Sequence, residues 1–396
     1  MKRKNVRPFS AVLNNNSRAP LIVWGMILVF ACFKKITRGK FNNYDIFERS
    51  WDHFVQHQDL YAYYPAEYHD RFLYGPLFSL FIAPFSMMPP VVGVVLWLVV
   101  STAMLLYAVK KIPGLSSSHQ AVLFWLTANE LLLALLMEQY NILIAAFLVL
   151  SYLFTEKEKP WVATFFIALG FLTKIYGIAG LCFWLFSKQK KSFIFSFVCW
   201  TLLLGLLPMI GGWEYGVEQY RNWFDALGGK NTENMFALMQ NMGLVGMARK
   251  LSGSELYSDM LVVIPGIVLF LLPLLRRQAY SSALFRRSIL ASMLLFIVLF
   301  SSGTESNTYI IAYLGIALWW LGRDPNSWYR CFDIFLLVGA VIFSFTTSDL
   351  MPKVLKEEIL LPYALKALFP TLIWLRLQFS LLFSSKYSED KTMVAA

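Results

Sequence analysis

Apolar runs recur along the chain, each about the length of a bilayer crossing, with short charged connections between them. Runs long enough for a helical span fall near 20–37, 91–109, 119–136, 139–155, 193–210, 259–275, 288–304, 306–322, 331–347 and 359–378. Two stretches fit less well. The first, 74–90, is short and interrupted by Pro76, Pro84, Pro89 and Pro90, which predicts a juxtamembrane or re-entrant piece. The second, 161–187, is too long for one helix and carries Lys174, Gly177 and Gly180 near its middle, which predicts two short helices breaking near Lys174. Such a break is tolerated at membrane depth only where protein or a watery cavity covers the backbone. The pattern therefore predicts an all-α polytopic membrane protein of about 10–12 spanning helices in one domain, 1–396. Two long polar segments, 38–90 and 211–258, are expected on one face, the first of them helical.

Composition agrees. Of 396 residues, 58% are hydrophobic and 15% charged, with a mean hydropathy of +0.55. Soluble domains run near 45–50% apolar and about 25% charged. The excess must face lipid, which excludes a soluble enzyme, a secreted disulfide scaffold and a nucleic-acid-binding domain. The net charge of +11 flanks the apolar runs, so membrane topology explains it and no nucleic-acid partner is expected. Cys32, Cys182, Cys199 and Cys331 lie in or beside apolar runs without zinc-ligand spacing and read as small core residues.

With the N-terminus inside, about 21 of the 35 Lys and Arg fall in inside connections: Lys2, Arg3, Lys4, Arg7 and Arg18 first, then short basic loops such as 110–111, 157–159, 188–191, 276–287 and 323–330, and Lys391 last. No small-residue cleavage site follows the first apolar run, so it reads as a retained signal anchor. One group conflicts with this orientation. Lys34, Lys35, Arg38 and Lys40 lie just outside the first span.

The first polar segment reads NNYDIFERSWDHFVQHQDLYAYYPAEYHDRFLYGPLF. A helix over 43–56 is predicted, capped by Asn42 or Asn43, with Asp45, Glu48 and Asp52 on one face. Half-buried at a membrane surface, one of these carboxylates could act as a general base; the alternative is a solvated acidic face. Tyr61, Tyr63, Tyr64, Tyr68 and Tyr74 suit sugar rings, although an interfacial anchor is the commoner explanation for any one of them. His53 and His57 have i, i+4 spacing, which serves either a divalent metal or a polar helix face; a metal is possible but nothing else supports one. Glu130 and Glu138 sit in or at the ends of apolar runs, and Gln139 and Asn141 fall at a tight turn. Lys174, at the proposed break, fits a structural ion pair, a snorkelling lysine or a lipid-phosphate contact. The second segment holds Gln240, Asn241, Arg249 and Lys250, of which Arg249 could hold a phosphate. In SSGTESNTY, 301–309, Glu305 is a lone carboxylate that could orient a sugar hydroxyl or balance Lys174 or Arg249.

In this order the motifs resemble glycosyltransferase family 87 over roughly residues 20–325. They are Asp45 leading into Tyr63, Tyr64 and Tyr74-Gly75-Pro76, then Gln139-Tyr140-Asn141, Thr173-Lys174-Ile175-Tyr176, Gln240-Asn241 to Arg249, and the turn at Glu305. The chain departs from the family at Ile175-Tyr176, where a proline usually follows the lysine, and at Asn307 and Thr308, where a histidine is common. The resemblance implies a GT-C-like bundle that transfers a sugar, typically mannose, from a polyprenyl-phosphate donor to a glycan or glycolipid acceptor, without metal or cofactor. It implies inverting displacement with Asp45 as general base. Lys174 or Arg249 would stabilise the phosphate, and Glu48, Tyr63, Tyr64, Tyr74, Gln139, Asn141, Gln240, Asn241 and Glu305 would contact substrate. It places the enzyme in a bacterial inner membrane, among membrane lipid, with a cytoplasmic N-terminus and a periplasmic site. A lipid-linked sugar flippase or transporter and a non-catalytic assembly subunit are the competing classes. No repeated halves of the transporter kind are visible.

Overall fold

The computed structural model describes residues 18–387 apart from residue 42. The expected inside bases Lys2, Arg3, Lys4, Arg7 and Lys391, and the candidate cap Asn42, lie outside the described residues. The described chain is all helical, with no strands. The helices are α1 (Ala19–Arg38), α2 (Asn43–Val55), α3 (Leu77–Ser86), α4 (Pro90–Lys110), α5 (Ser117–Leu136), α6 (Asn141–Glu156), α7 (Pro160–Thr173), α8 (Lys190–Leu206), α9 (Trp213–Glu233), α10 (Leu244–Ser252), α11 (Met260–Leu271), α12 (Ala283–Leu299), α13 (Tyr309–Gly322), α14 (Arg330–Ser344) and α15 (Leu368–Phe383).

Local chemistry sets their ends. Proline opens α1, α4 and α7, where a missing N–H costs nothing. Ser116 and Ser282 accept the backbone N–H of His119 and Phe285 to cap α5 and α12. Gly39, at φ 57°, ends α1. The predicted break is present: α7 stops at Thr173, Lys174 is extended, and a 3-10 helix runs from Ile175 to Leu185. Gly177 makes the fold-back possible, because a Cβ there would lie 2.3 Å from the Gly170 carbonyl carbon.

Among the described residues five helical stretches are long and apolar enough to cross a bilayer: Ala19–Arg38, Pro90–Lys110, Ser117–Leu136, Lys190–Gly211 and Leu365–Phe383. The other expected spans are shorter in the structure. α6 would reach only about 24 Å at 1.5 Å per residue, against a hydrocarbon core of ~30 Å. Protein surrounds it instead, and every residue from Asn141 to Leu153 is buried. α12 and α13 are similarly enclosed. The span expected at 359–378 begins later, at Leu365, directly after Pro362 and the left-handed Ala364 (φ 51°) interrupt the run. The second polar segment is helical too, forming α9 and α10.

Around this core the peripheral helices turn apolar stripes outward. Ile22, Met26, Val29, Phe33 and Ile36 lie exposed along α1; Phe195, Val198, Leu202 and Leu206 along α8; Leu261, Ile264, Val268 and Leu271 along α11. Steps of three and four put each set on one helix face, and faces this apolar belong in lipid. The chain is a multi-pass membrane protein. At one end lie the basic loops, partly paired, as where Arg286 Nε and Nη2 meet Glu156 at 2.7 and 2.8 Å. At the other, the loop end, sit α2, α9 and α10.

Inside the bundle one ion pair is wholly sealed. Lys366 Nζ meets Glu130 Oε2 at 2.9 Å, with both side chains fully buried. Lys366 also donates to the carbonyl and hydroxyl of Ser306, and Ser344 donates to Glu130. Glu130, a functional candidate by its depth, thus holds Lys366, which in turn holds the 301–309 turn.

Candidate functional site

At the loop end two cavities adjoin, one of about 320 Å³ and one of about 580 Å³. Asn43, Asp70 and Glu305 line both.

The smaller cavity, the chamber, is built from residues distant in sequence. Its wall at Tyr74 is held by Gly75, whose N–H donates to Thr173 O at 2.9 Å. A Cβ on Gly75 would sit 1.9 Å from Leu172 O, so no other residue fits this approach. Tyr61 hydroxyl and Trp223 Nε1 donate to the carbonyls of Tyr74 and Leu73 at 2.8 and 3.0 Å, fastening the first polar segment to α9. Beneath it, Phe78 packs against Tyr74, Tyr140 and Phe47 with ring centroids 4.7, 4.9 and 5.0 Å apart.

The turn between α5 and α6 presents Gln139 and Asn141. Glu138 takes φ 47° there, and Trp97 Nε1 donates to its carbonyl at 2.9 Å. Its carboxylate pairs with Lys35; burial pushes its pKa up to about 8, with Lys35 opposing. Asn141 Nδ2 donates to Gln139 Oε1 at 2.9 Å and to Thr308 Oγ1 at 3.3 Å. Its Oδ1 accepts Lys174 Nζ at 2.8 Å. The Lys174 ammonium also lies 5.3 and 5.1 Å from the Tyr74 and Tyr176 ring centres, within cation–π range. Among the described residues it makes no close ion pair, so the reading of a structural ion pair is not met. It points into the chamber and rests on an amide oxygen and two rings.

Glu305 closes the other side. It caps the short turn Ser306–Thr308, its carboxylate accepting the Thr308 N–H while Thr308 Oγ1 accepts the Glu305 N–H at 3.2 Å. Burial raises its pKa; Lys174 and a hydrogen bond from Asn307 oppose that, and the nearby Asp70 adds to it. Tyr74, Gln139, Asn141, Lys174 and Glu305, all selected from the sequence, therefore meet in one space.

The larger cavity, the vestibule, opens beside it between α1, α5 and the 301–309 turn. Lys34, Lys35, Arg38 and Lys40 form one wall, and Leu133, Leu136, Met137 and Met239 an apolar floor. Gln240 and Asn307 contribute amides. Gln240 is steadied by Lys250, which donates to the carbonyls of Ala237 and Gln240 at 2.9 Å each; burial brings the Lys250 pKa down to about 8.

Other candidates lie elsewhere. Asp45 lines neither cavity. Asn43, Ile46 and Phe47 turn the opposite face of α2 inward, and at 100° per residue Asp45 points roughly 150° away from their mean direction. Glu48 shares that outward face. Both are half-buried and burial raises both pKa values, against Arg49 and Lys35 for Asp45 and Arg49 for Glu48. Asn43 does not cap α2 from outside; it is its first residue, and its Nδ2 donates to Met137 O at 2.7 Å. Tyr63 is exposed under Arg71, and Tyr64 stacks on His53 at 4.0 Å. Arg249 is taken by Asp259, whose Oδ1 accepts Nη2 at 2.7 Å and Nε at 3.1 Å, so the carboxylate that balances it is not Glu305. Asn241 lies behind Gln240, donating to Met235 O. The His53–His57 pairing fails because α2 ends at Val55 and His57 is left-handed; His53 Nε2 meets Glu67 at 3.1 Å instead. Among the described residues no three His, Cys, Asp or Glu side chains group as metal ligands.

Sequence reasoning missed Asp70, Lys230 and Trp223. Lys230 Nζ donates to Asp70 Oδ1 at 2.8 Å across 160 positions, a contact with no local signature beyond the charges themselves.

The pattern that defines glycosyltransferase family 87 matches residues 72–302, more than half of the chain. It takes in Tyr74, Gln139, Asn141, Lys174, Gln240, Asn241 and Arg249, while Asp45, Glu48, Tyr63, Tyr64 and Glu305 fall outside it. No curated protein matches the chain closely. The chamber polar groups, the membrane bundle and this match converge, and the chain belongs to glycosyltransferase family 87, a transferase that takes a sugar from a donor to an acceptor.

Proposed function

We propose that the protein transfers a hexose, mannose first among the candidates, from a polyprenyl-phosphate donor to a hydroxyl of a glycan or glycolipid acceptor. The site would face the periplasm of a bacterial inner membrane, the N-terminus the cytoplasm. The observation that carries this reading is Lys174. It is a cation held in a sugar-sized chamber beside two aromatic rings, and the carboxylate of Glu305 lines the same chamber within its field.

Lys174 would bind the donor phosphate, and Tyr74, Tyr176 and Trp223 offer ring faces to the sugar. The acceptor oxygen attacks the anomeric carbon, the bond from that carbon to the phosphate oxygen breaks, and the configuration inverts. The lipid phosphate leaves as an anion, so it needs a cation and no general acid. The acceptor proton passes to a carboxylate. Asp45 is the base the family resemblance implies, yet Glu305 has the better reach. It lines both cavities, and its raised pKa suits a base. Asp70 lines both as well but is engaged by Lys230.

The test is to incubate purified protein with polyprenyl-phosphate mannose, glucose and arabinose in turn, with and without a glycolipid acceptor, and to measure released lipid phosphate. Acceptor-dependent release with one donor supports the reading. Movement of labelled lipid across a vesicle without a new glycosidic bond would establish a flippase instead.

A further inference from the structure

The vestibule carries charge that the transfer chemistry does not use. Lys34, Arg38 and Lys40 stand at the loop end of α1, opposite the end where the basic loops gather. Orientation rules disfavour such a cluster on the outer face. Among the described residues none of the three makes an ion pair, whereas Lys35 beside them is taken by Glu138. The two carboxylates on the same cavity are already attended, Asp70 by Lys230 and Glu305 by the field of Lys174. The vestibule wall therefore keeps an uncompensated positive potential.

A second observation points the same way. Asn307 lines the vestibule at 7% exposure; its amide donates to Glu305, and among the described residues its Oδ1 has no hydrogen-bond partner. A buried amide oxygen without a donor is costly, and a small turn of the amide toward the cavity would let an incoming hydroxyl supply one. Below it the floor of Leu133, Leu136, Met137 and Met239 is apolar. Cations, an empty amide acceptor and an apolar floor match three parts of one ligand: an anionic group, a sugar hydroxyl and a lipid chain.

Resting on the transferase reading, we propose that the vestibule is the acceptor subsite and that the acceptor is an anionic glycolipid. Its phosphate or carboxylate is held by Lys34, Arg38 and Lys40, and a sugar hydroxyl by Asn307. The cavity is about 580 Å³ and meets the chamber at Glu305. An acceptor anchored there presents its hydroxyl to the base at the border of the two cavities, while Lys174 lines only the chamber. One cation site then serves each phosphate-bearing lipid.

The experiment compares two acceptors in zwitterionic nanodiscs with polyprenyl-phosphate mannose as donor. One is a monohexosyl diacylglycerol; the other is the same lipid with a glycerophosphate on its sugar. The expected result is a lower KM for the charged acceptor by roughly 10–100-fold, the scale that three surface cations allow. In the triple variant Lys34→Gln, Arg38→Gln, Lys40→Gln that preference falls to about one. Asn307→Ala raises the KM of both acceptors. Equal KM values in the wild type, or a preference that survives the triple variant, overturns the proposal. A rise in donor KM in the triple variant overturns it too, by giving the cluster to the donor phosphate. Competition by phosphatidylglycerol that erases the preference makes the cluster a general headgroup site, which also overturns it. If neither acceptor is turned over, the proposed pairing of a mannose donor with a glycolipid acceptor fails separately. Direct binding of the charged glycolipid to wild type and triple variant then decides the subsite: binding lost in the variant supports it, and equal binding rejects it.

Discussion

Glu305→Gln is the substitution that separates the carboxylates. Glutamine keeps the length of the side chain and an oxygen that can accept the Thr308 N–H, so the turn retains its cap. It removes the basicity and the negative charge near Lys174. Loss of a positioned general base costs about 10²–10⁴ in rate, or roughly 2.7–5.5 kcal/mol of transition-state stabilisation. The loss should appear in kcat, with donor KM unchanged or lower, because the charge opposing Lys174 has gone. A pH profile gives an independent signature. Burial, the largest influence, raises the Glu305 pKa. The base works deprotonated, so kcat/KM rises with pH through that raised value, and the acid limb lies above the ordinary carboxylate range. Glu305→Gln should erase this limb. Asp70→Asn breaks a partly exposed pair with Lys230, worth about 0–1 kcal/mol, and should cost less than about tenfold. Asp45→Asn, on the outward face of α2, should cost less still. The assay is release of lipid phosphate from polyprenyl-phosphate sugar across pH 4–9. A Glu305→Gln enzyme that keeps a tenth of its rate, or its acid limb, refutes the assignment. If Asp45→Asn shows the deep loss, α2 must rotate in the substrate complex and the base is Asp45.

Three further outcomes follow from the packing. Lys174→Gln deletes a charge-assisted contact worth about 1.5–3 kcal/mol, so donor KM should rise roughly 10–150-fold in a donor titration. Gly75→Ala drives a Cβ to 1.9 Å from Leu172 O, and thermal unfolding in detergent should show a loss of about 1–3 kcal/mol as Tyr74 is displaced. Glu130→Gln or Lys366→Met, each leaving one buried partner alone, should destabilise by about 3–5 kcal/mol, while the double variant Glu130→Leu, Lys366→Met recovers most of that; single variants as stable as wild type would contradict the sealed pair.

Much of the architecture could be read from residues alone because lipid imposes a local rule. A backbone polar group facing lipid must find its partner within its own helix, so an apolar run of sufficient length is helix unless protein covers a break in it. The same rule exposed the break at Lys174, where a charge and two glycines interrupt such a run, and the polar turn at Gln139-Tyr140-Asn141. Gln139, Asn141 and Lys174 from these two motifs line one chamber. What hydropathy could not provide was rotation about the helix axis. Asp45 and Asn43 are two residues apart in one amphipathic helix, and only the packing of Phe47 against Phe78 and Trp97 decides which of them faces inward. Spacing alone placed the acids together without saying which way they point. Nor could it pair Lys230 with Asp70 or Arg249 with Asp259, since a charge carries no label for its distant partner. Lys34, Arg38 and Lys40 show the same division. Counted along the chain they are an exception to a topology rule, and only the assembled bundle makes them the wall of a cavity, because a cavity belongs to several helices at once and to none of them singly.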